Sequence, residues 1–245
     1  MIDVFIDTNI LHSRNEQLDK ALFVEKLKEI IGEIEINDIY TEIKILLPRM
    51  VLNELYQQQL EMFDDLNKRL ENVSMPNMQY DRAFNYGEYL ETTFKKAITE
   101  LKQGIVAVEV VDFPASDRLN SIISRAIKKE PPFEGKEKHS DKGFKDVLIW
   151  ESIKEYKEKH INDTIVFYCN DNLLASNALR KEFKEDFRDE IYIEQKNALM
   201  KRLTTLCNKN ETEKTFSSQL NERIENCLSH NNEILYDLLL SLIHI

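Results

Sequence analysis

The chain is poor in the residues that bend a backbone. Only 5 Gly and 5 Pro occur in 245 residues, which argues against a loop-rich all-β fold and for long helices with short connections. Cysteine is scarce as well. Cys169, Cys207 and Cys227 are widely separated, with no CxxC pair and no His at ligand spacing, so neither a zinc knuckle nor a disulfide framework is expected. A reducing, cytoplasmic compartment suits such thiols. There is no apolar run of about eighteen residues and no basic-apolar-small leader pattern, so the expectation is a protein neither secreted nor membrane-spanning. Positive charge is also in deficit. With 33 Lys and Arg against 44 Asp and Glu, the net charge of -11 does not resemble a protein that holds nucleic acid by bulk electrostatics. Acids gathered around a cation would also make a chain negative, and a local basic patch can coexist with an acidic total.

What is present describes an ordinary globular protein, with 42% hydrophobic and 31% charged residues. The length allows one large domain, or one domain with a helical addition. "IDVFI" at 2–6 has the β-branched and aromatic content of a short buried strand. Residues 15–33 carry apolar positions at helical spacing, with Gly32 placed to end the helix. Ile43 to Leu47 read as a second strand, and Pro48 near the first turn of a following helix puts Glu54 early in that helix. Residues 57–72 and 82–103 read as two helices around a break at "SMPN", 74–77, and form a helical insertion over 57–104. "GIVAVEVVDF" is a short strand or an extended connector before a helix from about Asp117 to Lys129.

The segment 128–143 is dense in Pro, Gly and charge and predicts an exposed loop. Ser140 or Asp141 could cap the helix that follows, whose buried side is expected at Phe144, Val147, Leu148 and Ile153. "TIVFYCND" at 164–171 is another buried strand, followed by a helix from about Leu173 to Lys184 and a short strand at 190–194. Helices are expected over 195–206 and 213–243, the latter with an apolar stripe through Phe216, Leu220, Ile224 and Leu228. Strands separated by helices point to an α/β fold around a mainly parallel sheet.

Two apolar strands run into polar, acid-bearing ends, Asp7-Thr8-Asn9 and Asn170-Asp171-Asn172. In parallel sheets ligands gather at the carboxyl ends of the strands. Glu54 and Asp146, near the starts of helices that follow an extended segment or loop, belong to the same edge. Four carboxylates there would repel one another unless a cation neutralised them, and all-oxygen donors suit Mg2+ or Mn2+. The chemistry such a site serves is metal-assisted hydrolysis. Each residue also has a plainer reading. Asp7 could be an Asx turn with Asn9 as a cap, Glu54 could answer a helix dipole, and Asp141 competes with Asp146. Lys136, Lys138, Lys142 and Lys145 could be solvated loop charges, His139 a surface residue, and Trp150, Tyr156 and Phe167 core.

The order "FIDTNIL", "PRMVLNEL", "DKGFKDVLIW", "VFYCNDNLL" resembles the PIN-domain nucleases over roughly residues 2–195. The resemblance implies a three-layer fold with a central mainly parallel sheet. It makes 1–195 a nuclease domain carrying the helical insertion and 196–245 a helical C-terminal extension. Residue by residue it carries Asp7, Glu54, Asp146 and Asp171 over as catalytic, metal-binding carboxylates for one or two Mg2+ or Mn2+ ions. Thr8, Asn9 and Asn170 become supporting polar residues, with Asn9 expected to orient Asp7, and Lys142 and Lys145 become contacts for substrate phosphate. The implied activity is phosphodiester hydrolysis, with RNA ahead of DNA, in a toxin, defence effector or processing enzyme. The chain departs from the family in the long helical stretch between Glu54 and Asp146. Two other readings stand beside this one. A catalytically inactive PIN-like scaffold would be expected to have lost some of the acids, and an aspartyl-phosphate phosphatase would want an acid where Asn9 stands. The C-terminal helices pack on their own domain, pair with a second copy, or meet a further domain or partner.

Overall fold

A computed structural model describes residues 1–71, 84–133 and 143–243. The first strand, β1 (Ile2–Ile6), is buried at every position, as expected of a strand covered on both faces of a parallel sheet. Asp7 then opens a single turn, α1 (Thr8–Leu11). The next helix, α2 (Phe23–Ile36), starts later than the apolar spacing predicts and runs straight through Gly32. The residues before it are captured by side chains from elsewhere: the Gln59 amide accepts from Leu22 N–H and donates to the Lys20 carbonyl, while Tyr86 and Tyr89 donate to the carbonyls of Leu18 and Asp19. Those bonds satisfy backbone groups that a longer helix would have used itself.

Strand β2 (Ile43–Pro48) passes directly into α3 (Arg49–Glu71), so Pro48 closes the strand and Glu54 lies in the second turn of one unbroken helix. The expected break at 74–77 lies outside the described residues. Helix α4 (Tyr86–Leu101) begins with Asn85 Oδ1 accepting from Glu88 N–H at 3.3 Å and buries Tyr86, Leu90, Phe94, Ala97 and Leu101. The valine-rich segment is a strand, β3 (Ala107–Val111), and a short 3-10 turn leads to α5 (Leu119–Lys128).

Helix α6 (Phe144–Lys159) differs from expectation in which side it buries. Val147 and Ile153 are enclosed, but Phe144 is 48% exposed and Leu148 only partly buried, while Trp150, Glu151, Ser152, Lys154 and Lys157 are buried. A one-sided amphipathic reading fails because this helix also buries polar side chains in ion pairs with Arg118, Arg125, Glu182 and Asp189. Trp150, Tyr156 and Phe167 are core residues. Ser140 and Asp141, the expected caps, lie outside the described residues, and the cap position is held by Gly143 at φ 103°.

Strand β4 (Thr164–Tyr168) is followed by a turn rather than a helix. Helix α7 (Asn177–Phe187) begins only after that turn, and β5 (Tyr192–Glu194) completes the sheet. After a 3-10 turn at Lys196–Ala198, the expected pair of C-terminal helices is one, α8 (Leu199–Ile243). The polar stretch between the two expected helices contains neither Gly nor Pro, so each of its residues costs a helix only a few tenths of a kcal/mol.

The five strands are all parallel, in the order β3-β2-β1-β4-β5. The chain lays β2 and β3 on one side of β1, then returns to lay β4 and β5 on the other. The strand order therefore reverses between β1 and β4, which makes the carboxyl ends of those two strands the crevice where such sheets take ligands. The chain divides into two compact units, Met1–Arg202 and Leu203–Ile245. The first holds the whole sheet. In the second, Phe216, Leu220 and Ile224 are exposed at successive four-residue steps of the helix.

Candidate active site

Asp7 occupies the crevice because β1 continues one residue past its last strand position. Its N–H donates to the Tyr168 carbonyl at 3.0 Å, which ties the end of β1 to the end of β4. The side chain is 5% exposed and makes no capping bond to α1, so the Asx-cap reading finds no bond to support it. Its carboxyl is pushed up to about 7, first by burial and then by the charges of Asp146, Glu54 and Asp171, with the Thr8 N–H pulling the other way. Asp146, in the first turn of α6, is pushed up to about 6 by burial and by Asp171 and Glu54, while Lys145 opposes the shift. Glu54 on α3 and Asp171 past the end of β4 thus lie near enough to raise both Asp7 and Asp146 at one edge of the sheet.

The polar residues next to these acids hold the edge together. Thr8 Oγ1 donates to Glu54 Oε2 at 2.6 Å, fastening α3 to the end of β1. Asn9 does not serve Asp7 in the expected way. Its Oδ1 accepts from the Asn170 N–H at 3.0 Å, and Asn170 Oδ1 in turn accepts from the Lys196 N–H at 2.8 Å. One chain of amides therefore links the ends of β1, β4 and β5. Asp171 Oδ1 accepts from the N–H groups of Leu173 and Leu174 at 2.6 and 3.1 Å, which explains why a turn precedes α7. Lys145 Nζ stands 2.9 Å from Glu54 Oε1. Lys142, Lys136, Lys138 and His139 lie outside the described residues.

Two contributors were not singled out from sequence. Gln195 Nε2 donates to Asn172 Oδ1 at 3.3 Å, and its signal was the same as that of Asp7 and Asp171, a polar residue just past a strand. Gly143 sets where α6 begins. A Cβ there would stand 2.8 Å from both Phe133 Cα and the Pro132 carbonyl oxygen, and φ is already in the region that disfavours L side chains. Gly143→Ala is expected to lower stability by about 1–3 kcal/mol through this clash and strain, read as a lower urea midpoint with an unchanged slope. Because Asp146 is three residues on, the same variant should lose activity beyond what its stability explains.

Among the described residues no three His, Cys, Asp or Glu side chains are arranged to grip a metal ion as they stand. Both oxygens of Glu54 and one of Asp171 are engaged with protein donors. The model of the PIN domain family matches residues 4–174, well over half of the chain and inclusive of all four acids. The chain belongs to the PIN-domain family. It matches no curated protein and no solved structure. PIN domains are generally nucleases and typically use divalent metals. No helix among the described residues is long and apolar enough to cross a membrane.

Proposed function

We propose that this PIN domain is a metal-dependent nuclease that hydrolyses phosphodiester bonds through Asp7, Glu54, Asp146 and Asp171. The observation that carries the reading is the enclosed Asp7, 5% exposed and tied to the end of β4 where the strand order reverses, with Thr8 beside it bonded to Glu54 and with the charges of Asp146 and Asp171 close by. The donor set fits the proposed ion. It consists of carboxylate oxygens without His or Cys, as Mg2+ and Mn2+ prefer, and a nearly enclosed acid among like charges is a group that a divalent cation relieves. When bound at these acids, one or two such ions would lower the pKa of a water for attack and stabilise charge on the phosphate oxygens.

The chain's own residues do the remaining work. Thr8 holds the Glu54 carboxylate by one oxygen, and the Asn9-Asn170 bond fixes the spacing of the strand ends that carry Asp7 and Asp171. Such positioning is what makes an in-line displacement effectively intramolecular. Lys145, 56% exposed beside the acids, supplies a cation for a substrate phosphate, and Lys142 is proposed for the same task. RNA ahead of DNA, and a role as toxin, defence effector or processing enzyme, follow from the family resemblance. A reducing cytoplasm is the compartment that suits three widely separated cysteines with no CxxC pair. The exposed stripe on α8 is the surface by which a second copy or further partner would join.

The retention of all four acids favours an active enzyme over a scaffold, and Asn9, where a phosphatase would want an acid, disfavours that chemistry. The deciding experiment incubates the pure protein with labelled single-stranded RNA and DNA in Mg2+, Mn2+ or EDTA, beside Asp146→Asn. Cleavage of RNA that needs metal and fails in the variant is expected. Equal cleavage by the variant would remove the site assignment, and absence of both metal binding and cleavage in the wild type would favour the scaffold.

A further inference from the structure

Glu54 differs from the other three acids in already having a cation. Among the described residues none of Asp7, Asp146 and Asp171 forms a salt bridge, whereas Lys145 Nζ lies 2.9 Å from Glu54 Oε1. The second oxygen of Glu54 is held by Thr8 Oγ1 at 2.6 Å. The two bonds are of unequal permanence. Thr8 is 6% exposed and follows Asp7 directly at the start of α1, so its short side chain is confined by the packing around it. Lys145 has a long flexible arm that is 56% exposed, and a pair of that kind is held only weakly against solvent. Glu54 itself keeps 20% exposure. A metal ion seeking Glu54 thus finds one oxygen locked and the other guarded by a removable ammonium.

We infer that Lys145 is a built-in competitor for the divalent cation at Glu54, holding that carboxylate until the ion displaces it and then turning to the substrate phosphate. The inference rests on the nuclease reading above. Lys145 precedes Asp146 in the first turn of α6, so a displaced ammonium stays tethered beside the acids and within their reach. The exchange is balanced in kind, since one cation replaces another on Glu54 and no proton need move. It also couples two binding events. With no ion bound, Lys145 is spent on Glu54 and offers little to nucleic acid, and with the ion bound it is free to pair with a phosphate, so each ligand favours the other.

Titration calorimetry with Mn2+ alone, on the full chain without nucleic acid, tests this in wild type, Lys145→Gln, Glu54→Gln and the double variant. Lys145→Gln is expected to bind Mn2+ about two- to fivefold more tightly than wild type, the size set by a weak exposed ion pair. The gain should vanish in the Glu54→Gln background, because no pair remains to be broken. Affinity for a single-stranded RNA oligonucleotide should fall in Lys145→Gln when Mn2+ is present and stay near wild type in EDTA. Unchanged or weaker Mn2+ binding by Lys145→Gln overturns the inference. So does an equal gain in the Glu54→Gln background, which would reduce Lys145 to a general contributor of positive potential. Wild type that binds no Mn2+ would instead overturn the nuclease reading itself, so the two failures are distinguishable.

Discussion

Asp7→Asn is expected to cut cleavage severely and, at the same time, to raise the melting temperature of the metal-free protein at pH 8. The two effects share a cause. Asp7 is the least exposed of the four acids, and its ionised form is opposed by burial and by three neighbouring carboxylates. A folded-state pKa of about 7 against the ordinary 3.8 means that the folded chain holds this proton more tightly than the unfolded one. Stability must then fall as pH rises from about 4 to about 7, and stay at its reduced level above that. Replacing the carboxylate by an amide of the same shape removes the penalty at pH 8 and changes little at pH 4. Asp146, and Asp3 with its burial and nearby Asp163, are both pushed up to about 6, so part of the slope should survive in the variant. Activity should fall by about a hundredfold or more, since losing residues that merely support metal ligands already costs about 10- to 100-fold. Thermal scans at pH 4 and pH 8 with a cleavage assay decide the matter. A variant that is inactive but no more stable at pH 8 would contradict the account of Asp7 as a strained acid.

Glu182→Ala should cost about 3 kcal/mol, one of the largest losses open to a single residue outside the apolar core. Glu182, on α7, accepts from Trp150 Nε1 at 3.1 Å, from Lys154 Nζ at 2.8 Å and from the Arg125 guanidinium, with Nη1 at 3.0 Å. Burial pushes its carboxyl up, but the bonds from Arg125 and Lys154 prevail and hold it below the usual carboxylate value. Arg125 and Lys154 are each 8% exposed, and removing one member of such a cluster leaves charge stranded, which costs about 3–5 kcal/mol. The lower figure applies because Glu182 keeps 25% exposure and Glu151 still faces Lys154 at 3.2 Å. The pH dependence runs opposite to that of Asp7. An acid whose folded pKa is lowered contributes above its unfolded value and loses that contribution as pH falls through the folded one. Urea denaturation at pH 7 measures the loss, and a loss under about 1 kcal/mol would show that the cluster repairs itself around Glu151. Because α6 carries Asp146, a slackened α6-α7 contact should lower activity as well.

Much of this was legible in advance. A five-residue segment such as Ile2–Ile6, apolar but for Asp3 and buried at every position, announces itself by composition, and so do Ile43–Pro48 and Thr164–Tyr168. Asp7 and Asp171 were legible for a different reason, since a charged residue at the end of an apolar strand is costly to place without purpose, whereas Glu54 and Asp146 stood out only by their places near helix starts and by the family resemblance. Other features were invisible to local pattern. Gly32 looked like a helix stop, yet α2 continues to Ile36, and what precedes the helix was decided by Gln59, Tyr86 and Tyr89 reaching in from distant positions. The burial of Glu151, Lys154 and Lys157 on α6 contradicts any single-helix hydrophobic pattern, because their partners come from other elements. Asn9 had the right chemistry for orienting an acid, and tertiary geometry gave it a strand end instead.

Composition and short-range periodicity alone pointed to an α/β chain with a mainly parallel sheet, and strand-end chemistry to Asp7 and Asp171, because those properties reside in residue type and local spacing. Which acids would meet, that Asp7 would be the enclosed one, and that Lys145 would sit on Glu54 were decided only by the folded chain. Glu54 and Lys145 are 91 positions apart, and no local rule couples them. They are joined because β1 lies between β2 and β4, so that the elements following three different strands, and the helix entering from a distant loop, must all open at the same edge.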